Sequence, residues 1–90
     1  MLDTICGFLN GCGFVGVRFD VYRLGSYVIL VFVDGVMSGW LTLVDDRLSV
    51  VHDDIRGGAV TRGGSVDVND PEFFVKLRVL VEDFVSRVRG

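Results

Sequence analysis

Asp34-Gly35 narrows the folding choices of this chain more than any other residue pair. Both residues tolerate positive φ, and the pair separates two runs rich in β-branched and aromatic side chains, Ser26–Val33 and Val36–Val44. A tight two-residue hairpin is the expected result. The rest of a sheet grows from it. Phe14–Arg23 alternates, with Val15, Val17, Phe19 and Val21 on one side and Gly16, Arg18, Asp20 and Tyr22 on the other, as a half-buried strand does. Leu24-Gly25 predicts the turn that joins it to Ser26–Val33, which is apolar at both parities and reads as a central strand. Asp45-Asp46 predicts a turn into a fourth strand, Arg47–His52, and Ser65–Val68 reads as a short fifth.

Helical spacing brackets the sheet. Leu2, Ile5, Cys6 and Leu9 predict a helix over Leu2–Cys12, with Asp3 in its first turn and Gly11 and Gly13 at its end. Asp70-Pro71 predicts the start of a second helix reaching about Val88, with a stripe of Phe73, Leu77, Leu80, Val81, Phe84 and Val88. The expected architecture is α+β in one domain over residues 1–90. It has a short N-terminal helix, a four- or five-stranded antiparallel meander and a C-terminal helix packed on one sheet face.

Two-residue turns set an expected register, and a one-residue slip would turn a strand over. They pair Val21 with Val28, Phe19 with Leu30, Val33 with Val36, Ile29 with Trp40, and Leu41 with Val50. One face then collects Val15, Val17, Phe19, Val21, Val28, Leu30, Phe32, Met37, Leu41, Leu43, Leu48 and Val50 and becomes the core. The other collects Arg18, Asp20, Tyr22, Tyr27, Ile29, Val31, Trp40, Thr42, Ser49 and Val51. That second face has the composition of an interface. It has three possible covers: the N-terminal helix, a second copy, or another molecule.

Half of the 90 residues are apolar and the mean hydropathy is +0.50, more apolar side chain than one small core hides. The net charge of −3 argues against general binding to a phosphate backbone. Cys6 and Cys12 lack the spacing of a metal pair and read as reduced thiols. No secretory signal is visible, and the apolar run Tyr27–Val33 is too short to cross a membrane. A cytoplasmic chain with no membrane, metal or cofactor is expected.

No catalytic constellation emerges. His52, the only histidine, falls at a strand end beside Gly39 and is followed by Asp53 and Asp54, with no nucleophile placed beside it. Most carboxylates are turn aspartates. Arg56-Gly57-Gly58 and Arg62-Gly63-Gly64 mark a glycine-rich segment that Arg56 and Arg62 would make a secondary contact loop. The functional expectation is a non-enzymatic protein-interaction module. It would be a homo-oligomer, or an inhibitor or adaptor of a larger complex; in size and charge the chain is similar to the acidic inhibitors carried by mobile elements. Arg18, Tyr22, Tyr27, Ile29, Trp40 and Val51 are the expected partner-binding residues. The alternative is single-stranded nucleic acid stacking on Tyr22, Tyr27 and Trp40.

Overall fold

Asp34 and Gly35 adopt φ of 52° and 83°, and the hairpin they make pairs Val33 with Val36. Asp45 and Asp46 do the same at 49° and 62°, pairing Val44 with Arg47. Left-handed conformations cost aspartate less than most residues, and they match the twist of the flanking strands. The computed structural model describes residues 1–23, 27–54 and 59–90, and the backbone alone for residues 54 and 59–62. Its elements are α1 (Leu2–Gly11), β1 (Val17–Tyr22), β2 (Val28–Val33), β3 (Val36–Val44), β4 (Arg47–Asp54), β5 (Ala59–Asp67) and α2 (Phe73–Arg89). The strands form one antiparallel sheet in the order β1-β2-β3-β4-β5. The expected α+β meander is therefore present with all five strands, and β5 is much longer than Ser65–Val68.

The expected register fails at two places. The Leu24-Gly25 turn lies outside the described residues, but the strands flanking it pair Tyr22 with Val28, Val21 with Ile29 and Phe19 with Val31. That is one residue away from the Val21–Val28 pairing. The second slip is a β-bulge: Phe32 faces Met37 but Val31 faces Gly39, so Ser38 is the extra residue on β3. Its hydroxyl donates to the Val36 carbonyl at 3.0 Å, and the residue is buried. The two slips cancel across β2. As a result β1, β4 and the part of β3 beyond the bulge keep their expected faces, while β2 and the start of β3 at Met37 are turned over.

Ile29, Val31 and Val33 thus join the core with Phe19, Leu41, Leu48, Val50 and Val66, while Val28, Leu30, Phe32 and Met37 do not. Val15, also expected in the core, is 83% exposed and precedes β1, because Gly16 at φ 73° ends the preceding turn.

Both helices cover this one face. Leu2, Ile5 and Leu9 of α1 and Phe73, Leu77, Val81, Phe84 and Val85 of α2 belong to the same buried cluster, and the Phe8 and Phe74 rings meet at 4.7 Å between the helices. α2 starts later than Asp70-Pro71 implies. Asp70 and Pro71 belong to a turn in which the Asp70 carbonyl accepts from Phe73 N and its carboxylate accepts from Glu72 N and pairs with Lys76. α2 lies close against β3 at Gly39, where an added Cβ would strike the Val51 carbonyl and sit 2.9 Å from Phe84 Cζ.

Candidate functional site: the uncovered sheet face

With α1 and α2 on one side, the other side of the sheet carries no element of the described chain. Cross-strand pairing sorts its residues into rows. One runs Asp20, Leu30, Trp40 and Val51 from β1 to β4; the next runs Tyr22, Val28, Thr42, Ser49 and Ser65 from β1 to β5. Beyond the bulge a shorter row places Arg18, Phe32 and Met37 side by side. The turning-over of β2 makes the centre of this face bulkier and more aromatic than expected, because Leu30 and Phe32 replace Ile29 and Val31.

Val28 and Val51 are buried although they lie outside the helix-side cluster, so their neighbours on this face already exclude water from them. Leu30, Phe32 and Trp40 are half-buried and Tyr22 is 44% exposed. The Arg18 guanidinium lies over the Phe32 ring at 4.2 Å and pairs with Asp20. Stacking of this kind holds a long cationic side chain flat against apolar surface. Toward the opposite edge of the sheet Arg47 donates to the Ser65 hydroxyl from both Nε and Nη2, at 3.2 and 2.9 Å. An apolar centre with aromatic anchors and a charged, hydrogen-bonded rim is how protein interfaces are built.

The expected contact residues divide. Arg18, Tyr22, Trp40 and Val51 lie on this face. Ile29 does not: it is fully buried under the helices. Tyr27 does not either. It is turned toward α1, its hydroxyl donating to Asp3 Oδ2 at 3.3 Å, with Arg23 over its ring and paired with Asp3. Tyr22 therefore faces Val28, not Tyr27. Val28, Leu30 and Phe32 belong to the face and were missed, since a strand apolar at both parities carries no mark of which side is out; Met37 joins them because the Ser38 bulge turns over the start of β3. Of the expected secondary loop, Arg56 lies outside the described residues, and the backbone of Arg62 pairs opposite Val51.

The histidine is a separate matter. His52 sits opposite Gly39 under α2, its ring edge-on to Phe84 at 5.5 Å. A cavity of about 40 Å³ lined by Val50, His52, Leu80, Phe84 and Arg87 adjoins it; a space of that size holds roughly one water. An open groove beside it brings Ser38 and Asp53 near His52. The Ser38 hydroxyl, however, is spent on the Val36 carbonyl, so no nucleophile–base hydrogen bond is assembled. Among the described residues no group of three or more His, Cys, Asp or Glu side chains is placed to hold a metal.

The groups with displaced pKa values also lie off the sheet face. Burial pushes the Cys6 thiol up, and a hydrogen bond from Arg89 holds the Asp34 carboxyl below its usual range. Among the described residues no helix is long and apolar enough to cross a membrane. No family model, curated protein or solved structure matches the chain.

Proposed function

We propose that the chain is a non-enzymatic protein-interaction module whose contact surface is the uncovered sheet face. It acts as a self-associating unit or as an inhibitor or adaptor within a larger complex. One observation supports this reading: both helices pack on the same side of the sheet, so among the described residues no element covers Leu30 and Trp40 on the other side, and both stay half-buried. Burying such a row is favourable by about 25 cal/mol per Å² of apolar surface. Tryptophan, tyrosine and arginine are the residue types that most often dominate such contacts, and Trp40, Tyr22 and Arg18 stand there together.

Single-stranded nucleic acid is the competing occupant, since Tyr22, Phe32 and Trp40 offer rings for stacking. Two observations weigh against it. The Arg18 guanidinium already occupies the Phe32 ring and is neutralised by Asp20. The chain is acidic overall, which opposes the electrostatic term that drives such binding.

Trp40, the only tryptophan, makes the test direct. Its emission and its quenching by neutral acrylamide are recorded in dilute protein, and again with single-stranded DNA and RNA. Accessible Trp40 that nucleic acid leaves unchanged supports the reading. Protection by nucleic acid that fades as salt is added transfers the face to the competing occupant. A Trp40 inaccessible in dilute monomer overturns the open face altogether.

A further inference from the structure

We infer that the occupant of the open face is a second copy of the chain, docked face to face with the charged corners exchanged. This inference rests on the reading of that face as a protein contact surface.

The corners are defined by the register. Arg18 and Asp20 lie near the start of β1, beside the end of β2 and the start of β3. Arg47 and Asp67 are paired where β4 begins and β5 ends, beside the end of β3. The two corners are therefore diagonally opposite across the sheet, and each carries one arginine and one aspartate. A two-fold axis lying in the face along the other diagonal brings the Arg18–Asp20 corner of one copy onto the Arg47–Asp67 corner of its partner. Arg18 then meets Asp67 and Asp20 meets Arg47, each contact occurring twice, as a two-fold interface requires. Strands of the two copies cross near a right angle, one of the two established ways for sheets to pack.

Charge bookkeeping agrees. The chain carries −3, yet these four residues sum to zero, so the two corners that meet do not oppose docking of like on like. Area sets the strength. Five strands about 4.8 Å apart and about 20 Å long give a footprint on the order of 500 Å². Two copies would bury about 1,000 Å² in total, the low end for a specific interface. The dimer is thus reversible and concentration-dependent.

Sedimentation equilibrium across a range of protein concentrations tests this with charge reversals at exposed corner positions, which leave the core alone. Asp20→Arg and Arg47→Glu each place like charges together twice and should weaken the dimer by roughly tenfold or more. Mixing the two variants restores opposite charges at both contacts and should recover association as a heterodimer. The double variant should recover it as a homodimer. Circular dichroism verifies that each variant is folded.

A monomer at every concentration overturns the inference. If Trp40 is accessible in that monomer, the face survives as a site for a different protein. A dimer indifferent to both reversals uses another surface and overturns it too. Two weakened single variants that do not rescue each other overturn the exchanged-corner arrangement.

Discussion

Asn10 completes the backbone hydrogen bonding of Phe19: its Oδ1 accepts from Phe19 N at 3.1 Å and its Nδ2 donates to Phe19 O at 3.0 Å. β1 is an edge strand, and Phe19 is where its free side would otherwise offer an unpaired N–H and C=O. The carboxamide of α1 stands in for a neighbouring strand, and the Cys6 thiol adds a donor to the same carbonyl at 3.2 Å. Edge strands left open invite pairing with other chains. Asn10→Ala should destabilise the fold by about 1–3 kcal/mol, the cost of stranding partly buried backbone groups, and should increase aggregation. Urea denaturation and light scattering measure the two effects. An unchanged midpoint would show that solvent replaces the amide at no cost.

Neighbouring residues on β2 should respond unequally to truncation. Ile29 is fully buried under the helices, so Ile29→Ala should cost about 2–4 kcal/mol. Leu30 is half-buried on the open face, so Leu30→Ala in the monomer should cost under about 1.5 kcal/mol. Chemical denaturation of dilute protein compares them, and the reverse ranking would return β2 to the other register.

Two glycines make a second contrasting pair. A Cβ at Gly39 collides with the Val51 carbonyl and crowds Phe84, so Gly39→Ala should cost about 2 kcal/mol or more. Gly7 lies in α1 with nothing within 4 Å of the place its methyl group would take, and Gly7→Ala should add about 0.5–1 kcal/mol of stability. Thermal melts of the two variants should move in opposite directions.

Arg89 of α2 reaches the β2–β3 hairpin, donating to Asp34 Oδ1 and Oδ2 at 3.0 and 3.3 Å and to the Val15 carbonyl at 2.6 Å. The hydrogen bond, and secondarily the charge, of Arg89 lower the Asp34 pKa. A carboxylate whose folded pKa is depressed adds its stability above the ordinary value of about 3.9 and loses it as pH falls through the lower folded value. Arg89→Ala should therefore move the Asp34 titration, followed by carboxyl NMR, up toward that ordinary value. Both groups are solvent-exposed, so the global stability should change little. An Asp34 titration that does not move would remove the pair as the cause.

The candidate face was legible in part. Trp40, Tyr22, Arg18 and Val51 could be placed on it because β1 and β4 alternate and the Asp45-Asp46 turn behaves as its residues demand. Ile29 and Tyr27 were placed wrongly and Leu30 and Phe32 missed for one shared reason. Val28–Val33 is apolar at every position, so hydrophobic patterning is silent about which of its sides faces the helices. Its orientation then hangs on the pairing across residues 23–27 and on a bulge at Ser38. A serine in a strand does not announce a bulge.

By itself, the sequence determined the α+β class, the meander, two of its hairpins and the inward stripes of both helices. Each of these is local: turn residues that accept positive φ and apolar spacing of two or 3.6 residues act over a few positions. Only the tertiary structure decided the orientation of β2 and the side of the sheet on which α1 lies. Those depend on long-range packing. α1 carries one apolar stripe that either sheet face would have buried; the contacts that hold it on this side are Phe8 against Phe74 of α2, far away in the chain, and Asn10 against the edge of β1 at Phe19. The open face is the consequence of that choice.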